Sequence, residues 1–147
     1  MPSSNCEILL VEDDPADVLL MEKAFRKAGS PCTLEVRRDG EEAVAFLAAR
    51  ALAGPEARLP SLVITDLQMP RKSGHEVLEW IRHEPGLAGV PVVVLSSSKE
   101  QPDVDRAMAL GAKACLQKPC GQGALVDLVK GLLNDWTEPA AGGALPS

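Results

Sequence analysis

The chain has 147 residues, 46% of them apolar and 24% charged, which suits one domain around one hydrophobic core and excludes a disordered chain. No stretch approaches the roughly 20 apolar residues of a membrane-spanning helix, and residues 1–7 lack the basic start and apolar run of a secretory signal, so the expected compartment is the cytoplasm. A formal net charge of −6 argues against non-specific nucleic-acid binding, which needs a basic surface to displace counterions.

The first apolar run, 8–11, is followed at once by Glu12, Asp13 and Asp14. A helix is expected from Asp14-Pro15. Asp14 can cap it, Pro15 suits its first position and Asp17 sits in the first turn, where a negative charge favours the helix dipole. Leu20, Met21, Ala24, Phe25 and Ala28 recur at helical spacing, and Gly29 ends the pattern. A weaker strand signal covers 33–36, with Asp39-Gly40 read as turn chemistry before a helix over about 40–52. Residues 51–60 form a Gly/Pro/Ala-rich connection. The third run, 62–64, leads to Thr65-Asp66-Leu67-Gln68-Met69-Pro70, and Val77, Leu78 and Ile81 mark a third helix. A fourth run, 90–95, precedes Ser96, Ser97 and Ser98. A helix over roughly 102–110 stops at Gly111, a weaker run covers 114–116 before Lys118-Pro119, and a last helix spans about 122–136.

Short continuous runs of Val, Ile and Leu suit strands buried on both faces. Alternating with helices, they predict an α/β fold, a doubly wound five-stranded parallel sheet with five helices. The domain is expected over 6–136, with 137–147 as a flexible Pro/Gly/Ala-rich tail.

Such sheets bind ligands beyond the carboxyl ends of their strands, where this sequence places Glu12, Asp13, Asp66, Ser96 and Lys118. Clustered carboxylates repel one another unless a cation sits among them, and hard oxygen donors suit Mg²⁺, which commonly bridges carboxylate and phosphate. A hydroxyl can donate to a phosphoryl oxygen, a lysine supplies a point charge, and an aspartate can attack phosphorus to give an acyl phosphate.

Residues 9–15 (Leu-Leu-Val-Glu-Asp-Asp-Pro), 66–70 (Asp-Leu-Gln-Met-Pro) with Gly74, 91–96 (Pro-Val-Val-Val-Leu-Ser) and Lys118-Pro119 together resemble the receiver domains of two-component response regulators, which have a flavodoxin-like fold. The resemblance implies that Asp66 is the phosphoacceptor and that Asp13 binds Mg²⁺ directly while Glu12 acts through water. It further implies that the Gln68 backbone carbonyl supplies another metal ligand, that Ser96 is the switch hydroxyl, and that Lys118 pairs with Asp66 at rest and with the phosphoryl group afterwards. A cis peptide bond is expected before Pro119. The long connection before the third strand, residues 71–78 and the ending Asn134-Asp135-Trp136 are similar to phytochrome-associated single-domain response regulators. That narrower resemblance implies a histidine kinase of the bacteriophytochrome type as the phosphoryl donor. The function implied is a phosphoacceptor signalling protein rather than an enzyme with turnover, with output through protein contacts, because no DNA-binding extension follows the fifth helix.

Two features depart from the family pattern. Gln68 stands where many receivers have Asn, and Cys115 where the last strand usually carries an aromatic residue. Cys115 reads either as a small half-buried strand residue or as part of a modified switch. The last helix carries Leu125, Val126, Leu128, Val129, Leu132, Leu133 and Trp136 over an arc of about 160°, wider than the ~100° stripe that docking on a sheet needs. The excess reads as a partner surface, which the resemblance implies is a homodimer face of the fourth helix, fifth strand and fifth helix, or as a deeply docked helix.

Other readings fare less well. A haloacid-dehalogenase-type hydrolase needs a second Asp two residues after the nucleophile, where this chain has Gln68. A binding module that is never phosphorylated leaves the acidic set and Lys118 without a use. No G-x-G-x-x-G or P-loop sequence supports nucleotide binding. Four cysteines, Cys6, Cys32, Cys115 and Cys120, form no C-x-x-C pair, and with His75 and His83 as the only histidines a structural zinc site is not expected. The cysteines are expected as reduced, unpaired thiols, with redox sensitivity left open for Cys115 and Cys120. His75 and His83 are expected on exposed helix surface.

Overall fold

A computed structural model describes residues 6–53, 59–67, 73–87, 89–96 and 100–136. Five strands, β1 (Glu7–Val11), β2 (Thr33–Arg37), β3 (Leu62–Thr65), β4 (Val92–Ser96) and β5 (Ala114–Gln117), alternate with five helices, α1 (Pro15–Lys27), α2 (Gly40–Leu52), α3 (Gly74–Arg82), α4 (Gln101–Ala109) and α5 (Gln122–Trp136). All strand pairings are parallel, in the order β2-β1-β3-β4-β5. The molecule therefore has the doubly wound, flavodoxin-like α/β fold expected of a receiver.

Side-chain alternation along the strands divides the core in two. Leu9, Val11, Val63, Val92 and Val94 point to one face, where they meet Ala43 and Leu47 of α2, Val77, Leu78 and Ile81 of α3, and Ala107 of α4. Ile8, Leu10, Leu62, Ile64, Val93 and Leu95 point to the other, against Met21, Ala24 and Phe25 of α1 and Leu125, Val129 and Leu132 of α5. The direction of winding reverses between β1 and β3, so a crevice opens between their carboxyl ends.

Local chemistry sets the helix ends. Asp14 caps α1 by accepting from the Ala16 N–H at 2.9 Å. Asp39 does the same for α2, accepting from the Glu42 N–H at 2.8 Å, so it is a helix cap rather than only a turn residue. Ser73 and Glu76 form a reciprocal capping box on α3. The fourth strand begins at Val92, later than the apolar run that contains it; Pro91 has no N–H for a ladder, though its carbonyl accepts from Val63 at 3.0 Å.

Two expectations about side chains are corrected. Cys6 and Cys32 are joined in a disulfide, while Cys115 and Cys120 are free. The parallel register pairs Glu7 with Thr33, so the residues one step earlier face each other, with Cα atoms 4.7 Å apart, inside the range a disulfide spans. Strand adjacency brings together two cysteines that compartment statistics alone treat as separate. His75 is buried, not exposed. Gly74 packs against the backbone of Asp66, which carries the next residue inward, and the His75 Nε2–H donates to the Asp103 carbonyl in the first turn of α4 at 3.1 Å. His83 is exposed, as expected. Among the described residues no helix is long and apolar enough to cross a membrane.

Candidate functional site

The crevice between β1 and β3 is built from backbone pairing that continues past the strands. The Glu12 N–H donates to the Arg37 carbonyl at 3.0 Å and the Asp66 N–H to the Val11 carbonyl at 3.2 Å, which fixes Glu12 and Asp66 side by side. Glu12 is 3% exposed and Asp66 9%, whereas Asp13, two residues past the end of β1, is exposed. One carboxylate oxygen from each of Glu12, Asp13 and Asp66 lies within 4.8 Å of the others. A divalent cation suits such a set: the donors are hard oxygens, and the mutual repulsion of three carboxylates is relieved by positive charge.

Lys118 enters from the far side. Its N–H donates to the Ser96 carbonyl at 2.9 Å, which registers the end of β5 against β4. Its ammonium donates to Glu12 at 2.8 Å, to Asp17 at 2.9 Å and to Asp66 at 3.1 Å. Burial works to lower the Lys118 pKa, but the hydrogen bonds to Glu12 and Asp17 and the charges of Asp66 and Glu12 outweigh it, so the ammonium is held above the ordinary lysine range. Burial also pushes the Glu12 carboxyl up; the Lys118 hydrogen bond and charge oppose this, and the neighbouring Asp66 charge adds to the rise. Beneath the lysine, Leu10, Met21, Ile64, Leu95 and Leu125 line a mainly apolar cavity between α1 and α5, which keeps these charges partly away from water.

Asp66 is also held by its neighbours. One carboxylate oxygen accepts from the Leu67 N–H at 2.7 Å, and the Gly74 N–H donates to the Leu67 carbonyl at 2.9 Å. Ser96 closes β4 and is buried at the same sheet edge. The structure thus brings Glu12, Asp13, Asp66 and Lys118 together and sets Ser96 on the adjacent strand end. Gln68 lies outside the described residues, as do Ser97 and Ser98. No described peptide bond is cis, so the Lys118–Pro119 bond is trans, against expectation. Trans is the default even before proline, and in this form the ammonium reaches all three carboxylates. Cys115 is half-buried and packs against the α2–α3–α4 side of the core; burial, with the nearby Asp103 charge, pushes its thiol pKa up.

One contact was not anticipated. The sequence marks Asp17 only as a first-turn residue of α1, yet its carboxylate is a partner of Lys118. Its spacing from Glu12 and Asp13 gives no hint of this, because the contact depends on where α1 lies over the end of β5.

Residues 8–130 match the response regulator receiver domain family. The chain belongs to the response-regulator receiver family. This receiver is 36% identical to the response regulator Rcp1 of Synechocystis over 131 residues, 89% of the chain and 88% of Rcp1. The crystal structure of the phosphorylated cyanobacterial phytochrome response regulator RcpA superposes with a TM-score of 0.81 at 35% identity, covering 97% of this receiver and 99% of RcpA. The Mn²⁺-bound form of Rcp1 superposes with a TM-score of 0.78 at 34% identity, with coverage of 97% and 99%. One similar protein is thus a phytochrome response regulator, and another has been crystallised with a divalent metal.

Proposed function

We propose that this receiver accepts a phosphoryl group on Asp66 from a histidine kinase, in a Mg²⁺-dependent reaction, and passes the signal on through protein contacts. The observation that carries the reading is the nearly buried Asp66 carboxylate, within 3.1 Å of the Lys118 ammonium and grouped with Glu12 and Asp13 around a space that suits one cation.

In this reading an Asp66 oxygen attacks phosphorus as the N–P bond to the kinase imidazole breaks, and the imidazole nitrogen keeps the electron pair. Bound Mg²⁺ would neutralise charge on the phosphoryl oxygens; Glu12, Asp13, Asp66 and the Gln68 carbonyl are the groups that would hold it. Lys118 gives up its bond to Asp66 and donates instead to a phosphoryl oxygen, and the Ser96 hydroxyl donates to another. The protein is a phosphoacceptor signalling protein that assists its own phosphorylation and dephosphorylation.

The likeness to Rcp1 and RcpA supports a kinase of the bacteriophytochrome type as the donor, and a cytoplasmic setting follows from that partner. A homodimer through α4, β5 and α5 is the output arrangement we favour. On α5, Leu125, Val129 and Leu132 are buried against the sheet while Val126, Leu128 and Leu133 remain half-buried, and Met108 on α4 is 45% exposed.

Incubation with Mg²⁺ and acetyl phosphate followed by intact-mass measurement tests the reading. The wild-type chain is expected to gain one phosphoryl group and Asp66→Asn none. Gain of the group by Asp66→Asn at the wild-type rate would refute it. Size-exclusion of both states tests the dimer, and a monomer in each would refute that part.

A further inference from the structure

We propose that Asp17 is a positioning residue for phosphorylation of Asp66, sharing the Lys118 ammonium with Glu12 and Asp66 so that these two carboxylates do not hold it alone. This rests on the phosphoacceptor reading given above.

The geometry is specific. Lys118 has three N–H donors and meets three carboxylates, each from a different element: Glu12 after β1, Asp17 in α1 and Asp66 after β3. Two of these, Glu12 and Asp66, also belong to the set of oxygens grouped for a cation, and Asp17 does not. Asp17 therefore engages the lysine without belonging to the cation set. Of the three bonds, that to Asp66 is the longest at 3.1 Å, against 2.9 Å to Asp17 and 2.8 Å to Glu12. All three are ordinary hydrogen bonds, so the ammonium is shared among the three carboxylates.

A lysine on a flexible four-carbon stem settles where negative charge is densest. Without Asp17, the densest charge within reach is Glu12 with Asp66. The ammonium would then compete with the cation for both groups and tie up the oxygen that must attack phosphorus. With Asp17 in place the lysine is kept close but is shared, so that exchanging its bond to Asp66 for one to a phosphoryl oxygen leaves two anchors intact. Asp17 touches no reacting atom in this scheme and acts only through Lys118. Its position in the first turn of α1 also favours the helix dipole, and the test has to separate that structural role from the proposed one.

The experiment measures the initial rate at which the full chain is phosphorylated by acetyl phosphate in Mg²⁺, read by intact mass. In this reaction the bridging O–P bond breaks, acetate leaves with the electron pair and the Asp66 O–P bond forms. Asp17→Asn is expected to slow the reaction on the order of tenfold, the scale of coupling between groups in direct contact. Asp17→Glu is expected to restore most of the rate. In a Lys118→Ala background, Asp17→Asn is expected to have no further effect. A purely structural role would lower the melting temperature equally in both backgrounds and would not make the rate effect depend on Lys118. A wild-type rate in Asp17→Asn, or an equal fold-loss with and without Lys118, overturns the inference while leaving the phosphoacceptor reading intact. Failure of the wild-type chain itself to take up a phosphoryl group would instead remove that reading and this inference with it.

Discussion

The Cα of Gly74 lies against the backbone of Asp66: a Cβ at Gly74 would overlap the Asp66 carbonyl oxygen and come within 2.8 Å of the Leu67 Cα. The first turn of α3 is thereby seated directly on the loop that carries Asp66. The obstacle is backbone, not a flexible side-chain end, so it cannot swing aside. Gly74→Ala is expected to lower stability by about 1–3 kcal/mol, the range for overpacking a filled interior, and to slow phosphorylation of Asp66. Urea unfolding followed by circular dichroism checks the first effect and the acetyl phosphate assay the second.

The pH dependence of stability follows from two raised pKa values. For Lys118, a raised folded-state value means that its contribution is fully present below the ordinary lysine pKa of about 10.4 and is lost only as pH rises through the folded value. It therefore does not vary with pH near neutrality, where its carboxylate partners are ionised. For Glu12, the folded carboxyl binds its proton more tightly than an ordinary glutamate with its pKa of 4.5, so its contribution is fully present below that value and lost as pH rises through the folded pKa. Stability should include a component that grows as pH falls from neutrality toward about 4.5. Glu12→Gln should remove that component, which unfolding curves at several pH values in the absence of divalent metal would measure.

In the proposed reading, a cation held by Glu12, Asp13 and Asp66 would bind the folded chain and not the unfolded one. Mg²⁺ at one hundred times its dissociation constant should add about 2.7 kcal/mol to the unfolding free energy. Asp13→Asn, which removes an exposed donor without leaving a buried charge unpaired, should abolish most of that gain. Thermal melts with and without Mg²⁺ for both chains read it directly.

Much of the architecture was legible in the residues themselves. The short runs at 8–11, 62–64 and 90–95 read as doubly buried strands because both of their faces are apolar, and their alternating side chains do fill two separate cores. Asp14-Pro15 and Gly29 marked both ends of α1 because capping is a local matter. The strand-end rule placed Glu12, Asp13, Asp66 and Lys118 at one site before any distance was known. What escaped notice depends on which elements are neighbours. The Cys6–Cys32 disulfide requires knowing that β1 and β2 are adjacent and in which register. The burial of His75 requires knowing that Gly74 is pressed onto Asp66. Asp17 had a sufficient local explanation in the helix dipole, and that concealed its contact with Lys118. The apolar arc of α5 is wider than one docking stripe, and part of that width is taken up by packing beside α1 on the same face.

The Cys6–Cys32 disulfide closes a loop with a sequence separation of 26 at the sheet edge opposite the carboxylates. Loop closure of this size stabilises by about 3 kcal/mol in the chain-entropy account. Reduction, or Cys32→Ser, should lower the melting temperature while leaving the rate of phosphorylation by acetyl phosphate at 25 °C unchanged, because the bridge lies at the far end of β1 from Glu12. Melts with and without reductant, set beside the rate assay, check both halves of this expectation.

The most direct measurement of the central claim is the position of the acyl phosphate. Borohydride reduces an aspartyl phosphate to homoserine, so the chain would be phosphorylated with acetyl phosphate and Mg²⁺, reduced, digested and mapped by peptide mass. The account predicts homoserine at position 66 and unmodified aspartate at 13, 14 and 17. Homoserine at any of those three with position 66 intact would contradict it.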